Sequence, residues 1–305
     1  MSGALANTLA GAMSRRVISS SPMPGSVRDE LSVLISAGDA ADLAGGALLV
    51  ARVGYPDLAP APVLRQLDEL AMLVRPLVPR SLPANARVER LMEFLFQDAG
   101  FHGNGDDYYD PRNSFLNDVL ARRTGIPISL ATVSIEVGRR VDVPLQGVGF
   151  PGHFLLRAMG DEGPIFLDPF HGGQSVTQED LVGRLRTLAQ QAKRQSPDFL
   201  TVPEEFLEPV TTPSMLARML RNLVRIYVKR RDHAHALTAV DLLLVLTPDS
   251  ADDLRLRGVL YEALDCPAAA AIDLRRYAEI AQDADDAKRM LERAARLADD
   301  APTIH

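Results

Sequence analysis

Cysteine is nearly absent: Cys266 is the single thiol in 305 residues. One thiol can neither close an internal disulfide nor build a thiolate metal cluster, so a reducing, cytoplasmic setting is expected. A basic excess is missing too. Lysine and arginine number 33 against 40 aspartates and glutamates, a formal net charge of −7 that argues against nucleic acid as a partner. No apolar run approaches the roughly 18 residues of a spanning helix, so no membrane partner is expected. The opening stretch places Arg15 and Arg16 after its mildly apolar part, with no apolar run behind them. That order is wrong for a secretory signal, and residues 1–24 read as a flexible tail. What remains is ordinary globular composition, 47% hydrophobic and 24% charged, over a length that allows two or three domains.

The sequence also lacks a dinucleotide site, although it carries the spacing of one. Gly147, Gly149 and Gly152 stand in the order G-x-G-x-x-G. Such glycines must open a helix whose first amides meet the pyrophosphate. Here Pro151 sits inside the motif and the following residues, HFLLRAMGDEGPIFLDPF, read as strand, turn and strand. The turn presents His153; it does not cradle a phosphate, and no cofactor is expected.

From Val27 to about residue 100 apolar residues recur at three-and-four spacing, as in Leu64, Leu67, Leu70, Ala71, Val74 and Leu77, with prolines between segments. This reads as an N-terminal helical region over 25–100. Between 101 and 176 the pattern changes. Asn113 is placed to cap a helix ending near Arg123, with Asn117 one turn on along the same face, and GIPISL leads into a second helix over about 129–141. Short strands follow at 146–150, 153–159 and 165–170. The loop 103–110, GNGDDYYD, lacks the alternating ligands of a calcium loop. Residues 177–213 read as an amphipathic helix and a proline-rich connector.

The last region, 214–299, matches itself at an offset of 34 residues: Tyr227 falls on Tyr261, Ala236 on Ala270, Val240 on Leu274. That period, with helix–turn–helix patterning, resembles the tetratricopeptide repeat, whose role is to present a surface to a protein or peptide. Two copies fall short of the usual three, so they are expected to pack on the rest of the chain.

Chemistry concentrates in the middle third. Ser129 lies where Pro127 releases the chain into a helix, His153 begins one strand and Asp168 ends the next. If Met159 and Pro164 flank the turn, Asp168 lies opposite Leu155, on the face that His153 shares by strand alternation. The simplest reading of Ser129 is an N-cap, and of the other two a hydrogen-bonded structural pair. His171 adds a second imidazole, but no supporting ligand is apparent and no metal is expected.

The stretch FHGNGDDYYDPRNSFLNDVLARRTGIPISL, with GVGFPGHFLLRA and IFLDPFHGG, resembles a family of bacterial transglutaminase-like proteins that carry C-terminal tetratricopeptide repeats, some named SirB-type regulators. The resemblance spans about Gly45 to Ala298. It implies a mostly helical α+β protein: an N-terminal helical bundle, a papain-like α+β core and repeat helices. It further implies that Ser129, His153 and Asp168 occupy the catalytic positions, with serine where active relatives have cysteine. A helix N-terminus contributes about 0.3–1 kcal/mol, against about 1.36 per pKa unit. That is enough to help ionise a thiol and far too little for a hydroxyl. Two functions stay open: a regulatory module binding protein or peptide, with a degenerate site, and a hydrolase or acyltransferase using Ser129, His153 and Asp168.

Overall fold

A computed structural model describes residues 25–191 and 201–299. The expected tail over 1–24 lies outside the described residues. The first third is helical, as its periodicity requires: α1 (Gly25–Ser36), α2 (Leu43–Ala51), α3 (Pro60–Val74) and α4 (Ala84–Glu93), the last running into a π turn at Phe94–Asp98. Pro60 starts α3 where its missing N–H is not needed. Helix α2 is buried almost all round because it stands between α1, α5 (Leu116–Arg122) and the repeats.

The core brings two sheets. A parallel pair of two-residue strands, β1 (His102–Gly103) and β2 (Thr124–Gly125), ties the 103–110 loop to the entry of α6 (Pro127–Arg140). The main sheet is an antiparallel meander of β3 (Leu145–Val148), β4 (Leu155–Met159), β5 (Pro164–Asp168) and β6 (Gln174–Val176). Met159 pairs with Pro164 and Leu156 with Leu167, the register that sets position 168 across from 155. One face (Phe154, Leu156, Ala158, Leu167) joins the large core with α6. The other (Val148, Leu155, with Phe150) packs on Leu181, Val182 and Leu185 of α7 (Gln178–Gln191).

Several local expectations need correction. Asn113 does not cap a helix: it closes a 3-10 turn, Pro111–Asn113, and α5 begins only after Phe115. Asn113 and Asn117 therefore do not share a helix face. Arg123 in the left-handed region ends α5, two residues ahead of Gly125. Ser129 is not the N-cap of α6 but its third residue; Ile126 holds the cap position. His153 lies in the turn before β4 rather than in the strand, and β6 was not anticipated.

Helices α8 (Thr212–Arg230), α9 (His233–Leu246), α10 (Ala251–Ala263), α11 (Pro267–Ile280) and α12 (Ala287–Asp299) form the C-terminal array. Small residues set the spacing, as a Cβ on Gly258 would meet Leu274 at 2.8 Å. As expected of a short array, it leans on the remainder: α8 packs on α2 and α9 on α1. Gly46 of α2 allows the first contact, since a Cβ there would lie 2.5 Å from Leu216.

Candidate functional site

Asp168 ends β5 directly after Leu167. Leu167 packs toward α6, so strand alternation sends the carboxylate to the α7 side. There it accepts from almost everything in reach. Its Oδ1 takes the His153 Nε2 at 2.9 Å and the amides of Phe170 at 3.0 Å and His171 at 3.2 Å. Its Oδ2 takes the His171 Nδ1 at 2.8 Å and the Arg184 guanidinium, from α7, at 2.7 Å. Burial pushes the carboxyl up; the hydrogen bond and charge of His153, with the bonds from His171 and Arg184, outweigh it and hold the group well below the usual carboxylate range. The two backbone bonds follow from Pro169, which starts a 3-10 turn (Pro169–His171) whose free amides point back at the carboxylate.

His153 is fixed from both ends. Its carbonyl accepts from Arg218 of α8, whose guanidinium also stacks 5.2 Å above the Phe154 ring. Its ring meets Phe170 edge-on at 6.3 Å. Phe170 is in turn held by β1: a Cβ on Gly103 would stand 2.5 Å from its ring and 2.6 Å from its carbonyl oxygen. Gly103→Ala is therefore expected to displace the Phe170 turn and cost about 1–3 kcal/mol, measured as a lower denaturant midpoint.

Ser129 is placed differently. Its side chain is buried, 1% exposed for the whole residue. The hydroxyl accepts from the Ile126 amide at 3.0 Å and gives its proton to the Asn113 carbonyl at 2.6 Å, with the Ile126 carbonyl 3.0 Å away. The His153 ring is not among its partners. A Cβ on Gly125 would fall 2.6 Å from this oxygen, so the β2 backbone closes over it. The structure thus joins His153 to Asp168 and leaves Ser129 engaged with backbone. Asn113, fully buried, braces the loop above: its Nδ2 donates to the Asp107 carbonyl at 2.8 Å, and its Oδ1 accepts from Asn104 at 3.2 Å.

His153, Asp168 and His171 also bring three donor atoms within 4.8 Å of one another, a set of the kind zinc or iron accepts. Arg184 opposes a cation there with its own charge on the same carboxylate. Sequence reading missed Arg184, Arg218 and Phe170. Arg184 had a faint signal, a cation one turn after Leu181 on the apolar side of α7; Arg218 and Phe170 had none.

Two family models match the chain. One described as the transglutaminase-like superfamily covers residues 61–221, and one described as the tetratricopeptide repeat covers 223–295. A UPF0162 protein of Xylella fastidiosa is 38% identical over 234 residues, 77% of this chain and 82% of the relative. A UPF0162 protein of Pseudomonas aeruginosa is 32% identical over 252 residues, 83% of this chain and 89% of the relative. F-box only protein 21 of Homo sapiens is 33% identical over 181 residues, 55% of this chain but 27% of that much longer protein. No solved structure matches.

Proposed function

Since this chain belongs to the transglutaminase-like superfamily, in its bacterial UPF0162 branch with tetratricopeptide repeats, we propose that it is a regulatory protein- or peptide-binding module whose catalytic positions have become structural. The observation that carries this reading is the Ser129 hydroxyl, buried and committed to backbone groups on both sides. A serine nucleophile needs an aligned base during attack. The His153 ring nitrogen that faces a partner faces Asp168. No helix among the described residues is long and apolar enough to cross a membrane. The lone Cys266, hydrogen-bonded to a backbone carbonyl at the start of α11, fits the cytoplasmic setting proposed here.

The hydrolase reading keeps one observation in its favour, an imidazole oriented by a buried carboxylate. A serine-directed fluorophosphonate probe separates the two. Wild type is expected to stay unlabelled, and Ser129→Ala to lose about 1–3 kcal/mol of stability because the Ile126 amide is stranded. Labelling that disappears in Ser129→Ala would show the hydroxyl to be a nucleophile.

A further inference from the structure

Helix α8 carries Arg218, Arg221, Arg225 and Lys229 at spacings of three and four, a row along one face. The protein as a whole is acidic, yet among the described residues only Arg221 of this row meets a carboxylate, Asp253 at 3.7 Å. Arg218 is the most telling. It is part-buried beside His153, its partners are a carbonyl and an aromatic ring, and burial holds its guanidinium below the usual arginine range. A desolvated cation without a counter-charge is costly, and an arriving anion would relieve it.

Facing this row is a run of aromatic rings. Lys229 lies 4.2 Å from the centroid of Tyr109, Tyr109 meets Tyr108 at 5.4 Å, Tyr108 meets Phe170 at 6.0 Å, and Phe170 meets His153 at 6.3 Å. Tyr108 and Tyr109 are 40% and 44% exposed, among the most open large hydrophobic side chains of the 101–176 region. The track is continuous from the end of α8 to the imidazole. Successive cations on one helix row are about 5–6 Å apart along the axis, near the ~6.6 Å between alternate side chains of an extended strand.

We propose that this aromatic track under the cations of α8 is the docking surface for an extended acidic segment of a partner polypeptide, running toward His153. The inference rests on the polypeptide-binding reading above and names the chemistry of the partner. Aromatic rings beside cations also suit a single-stranded nucleic acid. The overall charge of −7 disfavours a continuous polyanion, whereas a short acidic stretch between neutral residues meets only the local field.

Fluorescence polarisation on the full chain tests it with three labelled probes: a nonapeptide with glutamate at alternate positions, its glutamine counterpart, and an oligouridylate of matching charge. The glutamate peptide is expected to bind about tenfold more tightly than the glutamine one, less so as salt rises. Arg225→Glu, at an exposed residue with no ion pair among the described residues, and Tyr108→Ala are each expected to weaken it severalfold with the melting temperature kept. Equal binding of the two peptides, no effect of Arg225→Glu, or no binding by either overturns the inference. Tighter binding of the oligouridylate overturns it in favour of nucleic acid. Equal peptide binding that Tyr108→Ala still abolishes removes the acidic requirement and leaves the polypeptide-binding reading standing. Loss of that broader reading would be seen separately, in probe labelling at Ser129.

Discussion

Arg257→Ala is expected to destabilise the protein by about 3–5 kcal/mol. Arg257 of α10 reaches both neighbouring helices. Its Nε and Nη2 donate to the two oxygens of Asp273 on α11 at 2.7 and 2.8 Å, and its Nη1 donates to Asp241 on α9 at 2.7 Å. Both carboxylates are nearly inaccessible, with side chains 4% and 2% exposed. Removing the guanidinium leaves buried Asp273 without this cation and Asp241 with the longer contact to Arg28 at 3.4 Å, so two buried anions lose their shared counter-charge, which is worse than losing an attraction. Burial already pushes Asp241 above the usual carboxylate range despite the pair. Arg257→Lys is expected to recover little, because a point charge cannot grip Asp273 with two parallel bonds and still reach Asp241. Denaturant melts of wild type, Arg257→Ala and the Asp241→Asn, Asp273→Asn, Arg257→Met triple variant check this. The triple variant should regain most of the loss, and failure to do so would mean that Arg257 acts through packing rather than charge.

Asp168→Ala is expected to cost about 3 kcal/mol and to free the His153 ring. Five donors converge on that carboxylate, two of them backbone amides, and three side chains from three elements lose their common anchor. The pH dependence follows from its sign. The carboxyl titrates below its ordinary value of 3.8 in the folded chain, so the folded state holds fewer protons than the unfolded one through that range. Its contribution is therefore complete above about pH 4–5 and fades as acid is added below that. Wild type should lose stability steeply in this window, and Asp168→Asn should show a shallower slope. Parallel slopes would assign acid sensitivity to other carboxylates.

Much of this fold is legible in the amino-acid order because its signals are periodic. Helices α9 and α11 begin at 233 and 267, the 34-residue offset seen in the sequence. The same offset sets Leu223 against Arg257, so the departure from apolar repetition was visible although its partners were not. Patterns fail where one or two residues do the work. The pairing of β1 with β2 involves two residues on each side and leaves no alternation to read. Asn113 has the composition of a helix cap, but Pro111 two residues earlier draws it into a 3-10 turn, where its amide holds the loop instead. At the candidate site, the partnership of His153 and Asp168 was legible because turn length fixes register. The commitment of Ser129 was not, since its partner Asn113 lies 16 residues away and acts through its carbonyl.

The docking of α1 onto the repeats has a consequence for biosynthesis. Arg28 of α1 meets Asp241 of α9 across 213 positions of chain. At about 5–20 residues per second the ribosome needs roughly 10–40 s to produce the second partner after the first. During that interval the contact of α1 with α9 is unmade, although α2 is already there for α1 to pack on. Helix α1 can thus complete its seat only after α9 has been made, and until then the side of it that meets α9 is open to a ribosome-associated chaperone.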